Sequence, residues 1–152
     1  PCGYLGHPTQ ACRCTPDHVL RYQSRLSGPF LNRIDMQIEV PAVSVNDLNK
    51  MTVGESSQIV AARVSRAFER QIARQGVVNA RLSVRQGDAL CVPDEAAREL
   101  LAKAMERLNW SARVYHRVLR VARTIADLEN LMVINASHVA QAIQYRRALK
   151  TA

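Results

Sequence analysis

Four stretches after residue 54 repeat their apolar residues at spacings of three and four, the pattern of amphipathic helices. The first stretch follows Ser56 or Ser57, either of which can cap a helix, and stops at Gly76, a residue suited to a helix C-terminus. Its apolar line consists of Val60, Val64, Phe68 and Ile72. We expect this line to face the protein core.

The second helix is predicted to begin at Asp94, the third after Ser111, and the fourth to run from about Ala136 to Lys150. Their apolar positions are, in chain order, Ala97, Leu101, Ala104 and Leu108; Val114, Val118, Val121, Ile125 and Leu128; and Val139, Ile143 and Leu149. Residues 77–92 show no sustained period and contain a Gly-Asp pair, which predicts a loop. Four helices with short joints predict a small bundle in which each apolar stripe is buried against the others.

The first 43 residues follow a different pattern. A helix is predicted from Thr15, as its cap, and Pro16, at its first position, up to an interruption at Ser-Gly-Pro. Beyond that interruption, apolar and polar residues alternate as they do in a half-buried strand. The apolar members of this alternation are Ile34, Met36, Ile38 and Val40.

A lone strand is not stable, so we expect its sheet to lie in sequence upstream of residue 1. The chain also begins without methionine and one residue before Cys2, which suggests a piece of a longer protein. We therefore expect residues 1–43 to be the end of one domain, 44–54 to be a linker, and 55–152 to form a whole second, helical domain. The predicted fold class is mainly α.

Composition and charge narrow the choice of partners. Hydrophobic residues make up 47% of the chain but aromatic residues only 5%, so the core must be built from aliphatic side chains, which favours packed helices. No apolar run approaches the roughly 20 residues that span a bilayer, and we expect no membrane partner. The net charge is +8, and 18 of the 21 basic residues are arginine. This surplus suggests nucleic acid or nucleotide phosphates as partners, although well-solvated helix faces would have the same composition.

Three of the four cysteines are clustered near the N-terminus, outside any secreted disulfide pattern, which fits a reducing cytosol. Tetrahedral zinc needs four ligands, and Cys2, Cys12 and Cys14 supply three. His7 could be the fourth, or another cysteine could precede residue 1. The alternative is a set of reduced thiols in a flexible terminus. Cys91 stands alone in an apolar setting.

Two arginine positions could contact phosphate. Arg33 lies between a short helix and the predicted strand, beside Asp35, and is either part of an ion-paired hinge or presented to a phosphate of a neighbouring subunit. In the third helix, Arg113, Arg117 and Arg120 share a face, which is usually solvated and paired with acids such as Asp127. Arg113, however, is in the first turn, where it could reach a phosphate.

The remaining ionisable residues suggest no catalytic site. His116 and His138 are interpreted as surface or packing residues without a role. No Ser/His/Asp, Cys/His or paired-carboxylate arrangement is visible in the sequence.

The segments PCGYLGHP, CRCTPDHVLRYQSRLSGPFLNRID, GESSQIVAARVSRAFERQ and SARVYHRVLRVARTIADLEN, in this order, resemble the C-terminal part of magnesium-chelatase-like AAA+ ATPases of the ComM/YifB type. The resemblance covers nearly the whole chain. It implies that residues 1–43 end an ATP-binding core and that 55–152 form a four-helix lid bundle. Arg33 would be the arginine finger that acts on the next subunit's ATP. Arg113 would be the sensor-2 arginine that touches the γ-phosphate in its own subunit.

The same resemblance implies a homo-oligomeric ring that uses ATP and Mg²⁺. A DNA helicase that promotes branch migration in natural transformation is the first interpretation; a metal-chelatase ATPase or a non-catalytic assembly module is the alternative. Asn32 replaces the aspartate that usually precedes the finger. Neither a phosphate-binding G-x-x-x-x-G-K-[ST] loop nor an acidic Walker B strand is present, so we expect no ATP turnover by these 152 residues alone.

Overall fold

The computed structural model describes residues 1–7, 9–38, 40, 43 and 54–146. These residues fall into two compact units: 1–34 with the described residues 40 and 43, and 35–38 with 54–146. The first unit contains helices α1 (Pro16–Gln23) and α2 (Gly28–Leu31). The second contains α3 (Ser57–Gln75), a 3₁₀ turn (Asn79–Arg81), α4 (Val84–Leu90), α5 (Glu95–Leu108), α6 (Ala112–Leu128) and α7 (Ala136–Gln144). The prediction of a mainly helical fold is confirmed, and none of these described helices is long and apolar enough to cross a membrane.

Side-chain caps start both helices of the first unit. The Thr15 side chain accepts a hydrogen bond from the backbone N–H of His18, as the sequence predicted, with Pro16 at the first helical position. Ser27 caps α2 in the same way, through the N–H of Phe30. The sequence did not predict this second helix, because its four residues are too few to show a period.

The strand predicted after α2 is not formed among residues 32–38 and 40. Met36 and Ile38 are 43% and 67% exposed, and Val40 is 83% exposed. The backbone N–H of Gln37 instead donates to the carbonyl of Tyr145, 2.6 Å away. An alternating sequence requires a neighbouring strand to complete its hydrogen-bond ladder, and the described residues provide none.

Helix α6 is central to the second unit and packs against α3, α4 and α7, while α5 packs against α7. Its buried residues include Val118, Ala122 and Ala126, each fully inaccessible to solvent. Leu128, which was predicted to face the core, is 39% exposed. Val114, Val118 and Ile125 of the predicted stripe are buried, and the buried face is broader than the stripe because α6 has helical neighbours on more than one side.

Helix α3 packs through a different face from the one predicted. Val64, Phe68 and Ile72 are 53%, 52% and 38% exposed, whereas Ala67 and Gln71 are buried. The Gln71 Oε1 atom accepts a hydrogen bond from the backbone N–H of Asn79 at 2.9 Å. Contacts of small and polar side chains therefore attach α3 to the bundle, and its apolar line remains exposed.

The loop predicted for residues 77–92 is largely helical. Ser83 begins α4 with a capping box, in which its hydroxyl accepts from the Gln86 N–H and the Gln86 side chain accepts from the Ser83 N–H. The prediction failed because Gly87 weakens a helical pattern, although the Ser-x-x-Gln signature was legible. Cys91 follows this helix and is 1% exposed in the hydrophobic core.

Helices α5 and α7 begin where the sequence predicted. Asp94 caps α5 through the N–H of Ala97, and Asn135 caps α7 through the N–H of His138. His138 is fully buried; its Nδ1 atom accepts the N–H of Asn135, and its Nε2 lies 3.0 Å from Glu129 Oε2. Residues 147–152, including the predicted end of the last helix and Leu149, lie outside the described residues.

A buried polar network joins α3, the 3₁₀ turn and the last turn of α6. Its centre is Asp127, a residue with no solvent exposure. Arg74 Nη1, Arg123 Nε and Asn79 Nδ2 donate to its carboxylate at 2.6, 3.1 and 2.9 Å. Burial opposes ionisation of Asp127, but the hydrogen bonds from Arg74 and Asn79 and the charge of Arg123 outweigh it and lower the pKa of the carboxyl. Asp127 is therefore not a solvated partner of the Arg113 face, as the sequence had suggested.

Candidate functional site

The two predicted phosphate contacts are each attached to the end of a helix. Arg33 follows Asn32, the C-cap of α2; its backbone N–H donates to the carbonyl of Phe30 at 2.9 Å, and the residue is exposed. The cap of Ser27 at one end of α2 and this hydrogen bond at the other fix the backbone that carries the guanidinium. Arg33 belongs to the first unit and Arg113 to the second.

Arg113 is the second residue of α6 and is exposed. In α3, α4, α5 and α7, a cap side chain accepts a backbone N–H, whereas the hydroxyl of Ser111, which precedes α6, makes no such bond. The first turn of α6 therefore combines N–H groups that no cap side chain satisfies with a permanently charged guanidinium. This is a favourable local environment for an anion.

The other two arginines of the predicted row have different surroundings. Arg117 Nη1 lies 2.5 Å from Asp35 Oδ1, so Asp35, which the sequence placed beside Arg33, forms an ion pair with Arg117. The Nε atom of Arg120 is buried without a hydrogen-bond partner among the described residues. Arg117 and Arg120 both line a cavity of about 570 Å³ that also contains Arg63 and Tyr145. Only Arg113 of the three remains exposed.

The structure brings the three N-terminal cysteines together. The sulfur atoms of Cys2, Cys12 and Cys14 all lie within 4.8 Å of one another, and those of Cys2 and Cys12 are 3.5 Å apart. Hydrogen bonds from the backbone N–H groups of Tyr4 and then Arg13, together with the neighbouring thiols, lower the pKa of Cys2 to about 6 despite slight desolvation. The thiolate, which is the form that binds metals, is thus favoured at neutral pH.

His7, the fourth ligand considered from the sequence, is not part of this cluster. Its Nδ1 atom accepts hydrogen bonds from the backbone N–H groups of Thr9 and Gln10 at 3.3 and 3.1 Å. The edge of its ring meets Tyr4, with the ring centroids 5.6 Å apart. In the searched part of the chain, the three cysteines are the only group of three or more His, Cys, Asp or Glu residues arranged to hold a metal ion.

Sequence reasoning missed the structural roles of two residues near these sites, Asn79 and Asp35. Asn79 is 1% exposed and links Arg74, Thr124 and Asp127. An asparagine in a stretch interpreted as a loop gave no signal of burial. Asp35 was noticed, but its partner is 82 residues away in the chain and could not be inferred from spacing.

A mainly helical unit around one long helix, with an exposed arginine in the first turn of that helix, defines a helical domain of the AAA+ lid type. The chain belongs to the magnesium chelatase ChlI family. The family profile described as "Magnesium chelatase, subunit ChlI C-terminal" matches residues 54–146, and the profile "Magnesium chelatase, subunit ChlI" matches residues 1–48. The resemblance inferred from the sequence is confirmed.

Curated relatives agree with this assignment. The chain is 43% identical over 135 residues to the uncharacterized protein YifB of Salmonella typhimurium, covering 88% of this chain and 27% of the relative. It is 40% identical over 139 residues to the competence protein ComM of Haemophilus influenzae, covering 91% and 27%. It is 30% identical over 151 residues to the uncharacterized protein Rv2897c of Mycobacterium tuberculosis, covering 97% and 30%. The chain thus spans little more than a quarter of the first two relatives.

Proposed function

We propose that this chain is the C-terminal part of an ATP-driven AAA+ motor, in which residues 55–152 act as the nucleotide-sensing lid and residues 1–43 end the ATPase core. The observation that carries the proposal is the exposed Arg113 in the first turn of α6, where no side chain caps the helix. Guanidinium groups suit phosphate oxygens because they are planar and permanently charged. In this proposal the chain contributes phosphate contacts through Arg33 and Arg113.

Arg113 senses the γ-phosphate of its own subunit's ATP in this proposal. Helix α6 has 17 residues and is about 25 Å long, with buried residues along its length and a buried ion-pair network in its last turn. A helix held so firmly moves as a rigid element. Gain or loss of a phosphate at its first turn therefore rotates the whole lid, which is the type of domain movement that converts nucleotide state into mechanical work.

Arg33 acts on the ATP of the neighbouring subunit in a homo-oligomeric ring. It stabilises the negative charge that develops on the transferred phosphoryl group, a contribution of about 10³- to 10⁵-fold in kcat for arginine fingers. Asn32 stands where the family's motif usually has an aspartate before this arginine.

We propose DNA as the substrate on which the motor acts, as a helicase or branch-migration factor in natural transformation. The net charge of +8 and the predominance of arginine support a polyanionic partner. The similarity to a protein named competence protein ComM supports the biological context.

The test uses the full-length protein, with its ATP-binding core present. ATP turnover is measured with and without forked and single-stranded DNA, over a range of salt concentrations. We expect DNA to stimulate turnover, Arg33→Ala to reduce it by about 10³-fold or more, and Arg113→Ala to reduce it about tenfold to a hundredfold.

Two matched variants control for the loss of a positive charge. Arg21→Ala removes an exposed arginine of the first unit, and Arg98→Ala removes one from α5 whose side chain is 54% exposed. Both should keep wild-type turnover. Wild-type activity in Arg33→Ala or Arg113→Ala would remove that residue from the nucleotide site.

The family assignment itself favours a second candidate, the ATPase subunit of a metal-chelatase complex. In that case ATP turnover would be indifferent to DNA at every salt concentration. The exposed apolar line of α3 favours a third, a non-catalytic assembly module that contacts a neighbouring copy. Phe68→Glu would then abolish the oligomer in analytical ultracentrifugation, while Arg33→Ala would leave turnover unchanged.

A further inference from the structure

The N-terminal loop is folded without a hydrophobic core. None of the described residues among 1–34 is buried. Nevertheless Cys2 lies beside Cys12 and Cys14, which follow it by ten and twelve residues in the chain. Small units that cannot bury enough apolar surface are usually held by disulfides or metal ions, and all four cysteines of this chain are free.

The turns of this loop depend on two glycines. Gly3 and Gly6 have φ angles of +84° and +77°, which side chains with a Cβ rarely adopt. A hydrogen bond of 3.1 Å from the N–H of His7 to the carbonyl of Tyr4 closes a four-residue turn with Gly6 at its third position. Apart from the adjacent residues, no atom lies within 4 Å of a Cβ placed at either glycine. Glycine is therefore needed at these positions for its backbone conformation and not for lack of space.

Backbone N–H groups point at the sulfur atoms. The N–H of Cys2 donates to Cys14 Sγ at 3.1 Å, and the N–H of Tyr4 donates to Cys2 Sγ at 3.4 Å. Such hydrogen bonds stabilise charged sulfur more than neutral sulfur, since bonds to ionised acceptors are the stronger ones. Two of the three sulfur atoms, those of Cys2 and Cys14, thus have a backbone donor directed at them.

The separation of the sulfur atoms fits one metal ion. In a tetrahedral site with Zn–S bonds of about 2.3 Å, two sulfur ligands are about 3.8 Å apart. The sulfur atoms of Cys2 and Cys12 are 3.5 Å apart, which is about 0.3 Å less than that value. All three sulfur pairs lie within 4.8 Å, which is at most about 1 Å more than that value. Small side-chain rotations would complete the geometry.

We propose that Cys2, Cys12 and Cys14 bind one Zn²⁺ ion as three thiolates, with the fourth position open to water or to a ligand from elsewhere in the longer protein. His7 does not contribute. Three soft sulfur ligands in tetrahedral arrangement select zinc over magnesium or calcium. Because Cys14 directly precedes Thr15, the cap of α1, the ion ties the N-terminal loop to the start of that helix.

The test measures metal binding by the chain itself and does not depend on the proposed motor function. The 152-residue chain is purified under reducing conditions, and its zinc content is determined by inductively coupled plasma mass spectrometry. We expect one zinc per chain. Replacement by Co²⁺ should give the intense visible absorption of a tetrahedral site together with sulfur-to-cobalt charge-transfer bands.

Variants identify the ligands. Cys2→Ser, Cys12→Ser and Cys14→Ser should each lower the zinc affinity by at least tenfold, whereas His7→Ala and Cys91→Ala should retain one zinc per chain. Circular dichroism of the helical unit checks that every variant is folded. Failure of the wild type to bind zinc, absence of the charge-transfer bands, or loss of zinc in His7→Ala would overturn the proposal. A Cys2–Cys12 disulfide that persists under reducing conditions would overturn it as well.

Discussion

Replacing Asp127 by asparagine tests whether the buried network stabilises the helical unit. The substitution keeps the size of the side chain but removes its charge, which is fully inaccessible to solvent. Arg123, whose side chain is 3% exposed, would remain buried with its closest counter-charge gone. Arg74 is 20% exposed and would be re-solvated only in part.

The expected cost follows from the burial of these partners. Removing one member of a buried ion pair destabilises a protein by about 3–5 kcal/mol, because the other charge is left uncompensated. Arg123 also donates to the backbone carbonyls of Leu131 and Met132, which offsets part of the loss. We therefore expect Asp127→Asn to lower the free energy of unfolding by about 3 kcal/mol, a large share of the 5–15 kcal/mol typical of domains.

Urea unfolding followed by far-ultraviolet circular dichroism measures this difference. Glu95→Gln is the matched control, since Glu95 pairs with Arg98 on the surface, where the two side chains are 75% and 54% exposed. Its cost should be below about 1 kcal/mol. A double-mutant cycle of Asp127→Asn with Arg74→Ala isolates their coupling. A cost below 1 kcal/mol for Asp127→Asn, with an unchanged dependence on urea, would refute the assignment of the network as a stabilising element.

Three further predictions concern the same unit. The pKa of Asp127 is lowered in the folded state from an ordinary value of 3.8, so the unfolded chain takes up its proton first as the pH falls. The contribution of Asp127 to the free energy of unfolding should therefore be present above about pH 4 and decrease below it. Acid titration of Asp127→Asn should show a shallower loss of stability. Leu101→Ala, at a fully buried position, should lower the free energy of unfolding in urea by about 2–5 kcal/mol. Phe68→Ser, at a position that is 52% exposed, should lower it by less than about 1 kcal/mol. Equal losses would contradict the orientation of α3. Gly76→Ala should cost about 1 kcal/mol, because Gly76 has a φ angle of +75° and nothing crowds its Cβ position; an unchanged midpoint would mean that the helix end relaxes.

Hydrophobic periodicity predicted the buried face correctly for helices that pack through their apolar stripe. It predicted the wrong buried face for α3, which packs through polar contacts. Val118 and Val139 lie where the sequence placed them, in the core. Phe68 does not, because α3 is attached through Gln71, which accepts from the N–H of Asn79, and through Arg74, whose partner Asp127 is 53 residues away in the chain. A hydrophobic pattern can show which face of a helix is apolar, but not whether another helix covers it.

The candidate site was predictable to the extent that it depends on local sequence. Arg113 could be singled out because it stands in the first turn of a helix that the sequence predicted. Arg33 could be singled out only as an arginine between a predicted helix and a predicted strand, since the sequence did not show α2. The cysteine cluster was predicted as a group, but its membership depends on how the backbone turns at Gly3 and Gly6. Spacing alone could not show that the three sulfur atoms would lie together and that the group would not include His7.

In the proposed motor, α6 would act as a lever because its two ends have opposite characters. Its last turn is fixed by charges that are buried and paired around Asp127. Its first turn has an exposed arginine and no side-chain cap. A ligand that binds the first turn supplies the missing interactions there and so acts on the whole helix, since the far end cannot yield independently. If the Asp127 network is what transmits this movement, Asp127→Asn in the full-length protein should uncouple ATP turnover from DNA at temperatures where the lid remains folded. Coupling that survives would assign the transmission to the apolar contacts of α6 with α7.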